Sequence, residues 1–138
     1  MKGEWGTLLE HALYLGKEEA AVALISRGAK IPEVTLGREP TINAAARLGE
    51  KLLTLVHRSG ANVNAVCPKG LTPLMNAAQR AQIGCARYLI ANGADVNAVD
   101  NKGYTALSFA KHRESLVLEE LLISVGADPT CKTFSGTS

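Results

Sequence analysis

The chain of 138 residues reads as an all-α solenoid of helix–loop–helix units joined by finger turns. The first sign is a Gly-Ala pair that closes an apolar helix four times, at Gly28-Ala29, Gly60-Ala61, Gly93-Ala94 and Gly126-Ala127. The intervals are 32, 33 and 33 residues, and a fixed period of this length marks one structural unit repeated. The second sign is composition: 46% of residues are hydrophobic, yet there are only one Trp, three Tyr and two Phe. A core of Ala, Leu, Ile and Val suits short packed helices and argues against a β-sandwich or barrel. The length is that of one domain. Four units are expected at about residues 4–29, 30–61, 62–94 and 95–127, within a domain of residues 1–130. A flexible tail of residues 131–138 is expected to follow.

The third unit shows what each part does. Thr72 fits an N-cap, its hydroxyl accepting from an otherwise unpaired helix amide, and Pro73 follows at the first helical position, where its fixed φ is favourable. Ala77 and Ala78 are small enough to let two helices approach. Gly93 stands just past a helix end, where a left-handed residue is needed, and Asp95-Val96-Asn97 leads into a turn. The fourth unit repeats this with Gly103-Tyr104-Thr105-Ala106-Leu107 and Leu121-Leu122 before Gly126-Ala127-Asp128.

These segments, above all Gly70-Leu71-Thr72-Pro73-Leu74 and Gly93-Ala94-Asp95-Val96-Asn97, closely resemble the ankyrin repeat. The first unit, Gly6-Thr7-Leu8 onward, lacks the proline. The second has Pro40-Thr41 in reversed order, an irregular finger from Pro32 to Glu39 with Gly37 one place early, and a second helix read as one residue short from Gly49 to Gly60. The family's usual histidine is replaced by Glu10, Asn43, Met75 and Ser108 in this reading.

Net charge is +2, too mild to imply nucleic acid. There is no run of 18 apolar residues, no signal-peptide core and no myristoylation motif. Cys67, Cys85 and Cys131 form no C-x-x-C pair and read as reduced thiols, Cys67 being the best placed for reactivity. His11, His57 and His112 have no ligand partner at helical spacing, so no metal site is expected. No phosphate-cradling motif or nucleophile elbow occurs, so neither a cofactor nor a catalytic residue is expected. Glu18-Glu19 and Glu119-Glu120 read as solvated outer faces, because adjacent helical residues diverge.

The resemblance implies binding through finger tips and the exposed side of each first helix. Carried over, these are Tyr14, Leu15, Arg47, Leu48, Gln79, Arg80, His112 and Arg113 on the helices, with Lys69, Leu71, Lys102 and Tyr104 on the fingers. Arg80 and Arg113 are 33 apart, as are Lys69 and Lys102, whereas Arg47 is read as one place early. Units about 10 Å apart turn this into a ladder of arginines with apolar anchors. The expectation is a non-enzymatic, cytoplasmic (alternatively nuclear) module that binds an acidic or amphipathic segment of another protein. Alternatives are a regulatory or targeting module of a larger enzyme or membrane protein, or a secreted microbial or parasite effector. A basic strip without interleaved aromatics argues against nucleic acid. The open stack end at Trp5 and Leu8 offers a surface for weak homodimerisation. Asn97, with Leu89 eight places before it, resembles the asparagine that an asparaginyl hydroxylase modifies in animal ankyrin repeats.

Overall fold

The computed structural model describes residues 2–35 and 38–134, with side chains from Leu8 onward. The expectations for Trp5, Gly37 and residues 135–138 lie outside the described residues. Among the described residues eight helices run in four pairs: α1 (Lys2–Leu15) and α2 (Glu18–Ser26), α3 (Thr41–Leu48) and α4 (Glu50–Arg58), α5 (Pro73–Gln79) and α6 (Ile83–Ala91), α7 (Ala106–His112) and α8 (Leu116–Ser124). The helices α3, α5 and α7 pack side by side, and α2, α4, α6 and α8 form a second row behind them. The fold class is all-α, as expected, and the only extended pairing among the described residues is an isolated antiparallel bridge between Val34 and Pro40.

Small residues make the inner row possible. Ala45, Ala46, Ala77, Ala78 and Ala110 are fully buried, and Leu52, Leu53, Leu74, Leu89, Leu107, Leu118 and Leu122 fill the space behind them. Each pair closes on a left-handed glycine, with φ of 101° at Gly28, 109° at Gly60, 95° at Gly93 and 106° at Gly126. An added Cβ at any of these four would meet no atom within 4 Å, so the requirement is conformational rather than steric. Thr72 Oγ1 accepts from the Met75 amide at 3.2 Å, and Thr105 and Ser108 form a reciprocal capping box.

The second unit has a different register from the one read in the sequence. Its outer helix α4 has nine residues, as do α2, α6 and α8, so it is not short. The missing residue is in the finger: Gly28 to Pro40 is 12 steps, whereas Gly60 to Pro73 is 13. Reading Pro40-Thr41 as the Thr72-Pro73 pair in reversed order sets the register off by one place, since Pro40 itself is the equivalent of Pro73. In the folded register Ile42, not Asn43, stands at the histidine position, and Arg47 is the full equivalent of Arg80, 33 residues before it. Asn43 instead matches Asn76, and its Nδ2 donates to Asn76 Oδ1 at 2.7 Å and to the Leu71 carbonyl at 2.9 Å. The shortened finger is a tight hairpin, with the Thr35 amide donating to Glu39 O, the Thr41 amide donating to Glu33 O, and Arg38 at φ 66°.

Neighbouring fingers are tied by asparagines placed four residues beyond a helix-closing glycine. Asn64 Oδ1 accepts from the Asp95 amide at 2.8 Å, and its Nδ2 donates to Gly93 O at 3.2 Å. Asn97 repeats both bonds to Asp128 and Gly126, at 2.8 and 3.1 Å. Pro32 holds that place in the second unit and has no side-chain amide to do the same.

Glu18 has a structural task across the unit boundary. Gly49 caps α4 without a side chain, and Glu18 Oε2 accepts from the Leu52 amide at 3.4 Å. A Cβ at Gly49 would collide with that carboxylate, and one at Gly84 would meet the Glu50 carboxylate in the same way. Acidic groups at helix N-termini are favourable, so Glu18 and Glu50 each serve the next outer helix. The expectation of a merely solvated Glu18 is corrected accordingly.

Of the segment expected as a flexible tail, residues 131–134 are folded on the last unit. Ser108 Oγ donates to Lys132 O, and Phe134 stacks on Tyr104 with ring centroids 4.0 Å apart and planes 7° from parallel. Two stability changes follow. Leu89→Ala is expected to cost about 2–5 kcal/mol through the cavity it leaves, and Gly93→Ala about 1–2 kcal/mol through left-handed strain alone. Chemical denaturation of the two variants measures both, and a neutral Gly93→Ala would show that the turn does not require glycine.

Candidate functional site

The inner helices end on the candidate face. Gln79 is the last residue of α5 and Arg80 its C-cap, while His112 is the last residue of α7 and Arg113 its C-cap. The repeat therefore places the two arginines at the same point of adjacent units. Cations at helix C-termini are favourable, so their positions are comfortable for the fold as well as available to a ligand. Gln79, Arg80, His112 and Arg113 line one concavity of about 530 Å³, together with Phe109 and Phe134.

Other members of the expected set are placed differently. Arg47 stands in the ladder position but is paired with Glu39, and its backbone carbonyl accepts from Gln82 Nε2 at 2.8 Å. Its charge is therefore answered within the chain. Tyr14 and Leu15 are 76% and 58% exposed. Leu15 lies with Leu8, Ala12, Ala20, Ala23 and Leu24 around a mostly apolar concavity of about 410 Å³ rimmed by Lys17 and Arg27, at the open end of the stack and away from Arg80 and Arg113. Leu48 and Leu71 are half-buried against the core, leaving Lys69 and Lys102 exposed on their fingers. The Lys69 carbonyl accepts from the Asn101 amide at 3.1 Å, which fixes the two finger tips relative to one another.

Tyr104 is not a free anchor. Phe134 covers one part of its ring, and Lys132 Nζ lies 4.7 Å from its centroid while donating to Lys102 O at 2.8 Å. Phe134 also meets Phe109 at 5.0 Å and His112 at 4.7 Å between centroids. Phe109 and Phe134 were missed as site residues. Phe109 was readable in principle, since it replaces the Asn43–Asn76 column at the same interval of 33. Phe134 is an aromatic residue in an otherwise polar segment.

Asn97, singled out for modification, has its side-chain amide committed to the next finger. The three histidines lie apart, and His57 Nδ1 pairs with Tyr88 Oη at 2.6 Å across the outer helices. Among the described residues no group of three or more His, Cys, Asp or Glu could hold a metal ion. None of their helices is long and apolar enough to cross a membrane.

Such an array, with side chains of successive units converging on one face and a scaffold behind them, defines a repeat protein built for contact over an extended surface. The family model described as ankyrin repeats, three copies, matches residues 42–133, more than half of the chain, and the chain belongs to that family. The matched segment begins within α3, so α1 and α2 are read as a unit from their fold. No curated protein matches the chain. Ankyrin repeats are generally protein–protein interaction modules and typically non-enzymatic.

All three cysteines are free. Burial pushes the Cys85 thiol up to about 12, with the carboxylates of Glu50 and then Glu18 adding to the effect. It stays neutral wherever a free thiol would begin to ionise. A thiol reagent at pH 8 is expected to label half-buried Cys67 and Cys131 in the folded protein and Cys85 only after denaturation. Equal labelling of all three without denaturant would contradict the described burial.

Proposed function

We propose that this chain is a non-enzymatic binding module that grips an acidic segment of a partner protein in the concavity between Arg80 and Arg113. The observation that carries the reading is the convergence of Gln79, Arg80, His112 and Arg113 on one hollow, with no carboxylate among its lining residues. Arg47, the third arginine of the column, is neutralised by Glu39. The unanswered positive charge is thereby concentrated in the last two units. Arginine forks suit carboxylates through paired hydrogen bonds, and Lys69 and Lys102 extend the basic field to the finger tips. Free cysteines accord with a reducing, cytoplasmic or nuclear setting. The same mode of action would serve a regulatory or targeting unit of a larger protein.

The test compares the wild type with an Arg80→Glu, Arg113→Glu variant whose helicity is confirmed by circular dichroism. A labelled peptide of glutamate and alanine is expected to bind the wild type and to lose at least roughly tenfold in affinity to the variant, since each reversal replaces an attraction by a repulsion. Binding should also weaken as salt rises. Equal affinity of the two proteins would overturn the site.

A further inference from the structure

We propose that Tyr104, Phe109 and His112 form a subsite for an aromatic side chain of the partner, and that Phe134 of the chain itself occupies it in the unbound protein. The proposal rests on the acidic-ligand reading for its neighbour, the arginine hollow, but on separate observations for the subsite.

Three rings of the last unit converge on Phe134. Its centroid is 4.0 Å from that of Tyr104, 4.7 Å from that of His112 and 5.0 Å from that of Phe109. The tilted contacts to His112 and Phe109 lie at separations where aromatic rings attract beyond simple burial, and the Tyr104 ring is stacked closer still. The repeat does not call for them: at the equivalent places one unit earlier stand Leu71, Asn76 and Gln79. The third unit, on which the last one packs, thus has no aromatic residue at any of these places.

The occupant is not a core residue. Phe134 is 37% exposed although it touches three rings, and it lines the same hollow as Arg80 and Arg113. It arrives on a short segment beyond the last helix, fastened through Ser108 Oγ to Lys132 O and through Lys132 Nζ to Lys102 O. No helix unwinds if this segment leaves. A partner ring entering from the hollow would take over the same stacking contacts while its acidic flanks meet the arginines. The hollow therefore fits a segment in which an aromatic residue is flanked by acidic ones, and Phe134 acts as an internal competitor for it.

Ring stacking of this kind holds an occupant by roughly a factor of two to ten. Removing the competitor should tighten binding of an aromatic ligand by about that factor. The experiment uses two labelled peptides, both rich in glutamate, one with a central phenylalanine and one with alanine there. Phe134→Ala is expected to tighten the phenylalanine peptide roughly two- to tenfold relative to the alanine peptide, each compared with its own affinity for the wild type. Equal tightening of both would mean that the segment merely obstructs the hollow, and weaker or unchanged binding would mean that Phe134 is a permanent wall; each overturns the proposal. A second readout does not depend on the arginines. N-acetylphenylalaninamide titrated into the Phe134→Ala protein should shift the ring resonances of Tyr104 and His112, with much smaller shifts in the wild type. Absence of those shifts in the folded variant overturns the subsite, whereas their presence alongside failure of both acidic peptides would isolate the fault in the acidic-ligand reading.

Discussion

The close approach of the inner helices is the constraint on which the rest depends. α3, α5 and α7 can lie side by side because Ala45, Ala46, Ala77, Ala78 and Ala110 present almost no side chain to their neighbours. Larger residues there would wedge the units apart. Everything functional inherits that spacing. The arginines stand level because Gln79–Arg80 and His112–Arg113 end helices of equal length on a common pitch. The fingers bond to one another because Asn64 and Asn97 reach only as far as the next unit. In a scaffold of this kind a substitution in the alanine rows is felt at the arginine face without touching it.

The charge of the face is uneven, and the unevenness has a structural origin. A shortened finger brings Glu39 to the start of α3, and there it pairs with Arg47. The third and fourth units have longer fingers and no acid at that place, since Thr72 and Thr105 stand there as caps. One residue fewer in a finger thus decides which arginines are left without a counter-charge.

Much of this was legible in the sequence, and the reasons are local. Thr72, Pro73 and Gly93 state their roles within a few residues, because caps and left-handed turns are set by neighbouring backbone. The period alone gives Arg80 and Arg113 equivalent places in adjacent units. What escaped were relations that span a unit. The pairing of Glu18 with the start of α4 joins residues 34 apart and leaves no trace but a glycine at position 49. Arg47 reads one place early when Pro40-Thr41 is taken as a reversed Thr-Pro pair, whereas distance from Gly60 gives the true register. Phe134 escaped because a polar segment masks a single ring whose partners lie 22 to 30 residues earlier.

The carboxylates of Glu18 and Glu50 make the array directional. The outer helices α4 and α6 each meet, at their N-termini, a carboxylate of the unit before, so neither the second nor the third unit is a self-sufficient brick. Excising the second unit would bring Glu18 against Gln82 and Gly84 in place of Gly49. The last unit is built otherwise, Ser115 supplying the cap of α8 from its own chain segment. Recombination is thus constrained at the front of the stack and freer at the back, where new units could be appended or exchanged with less loss.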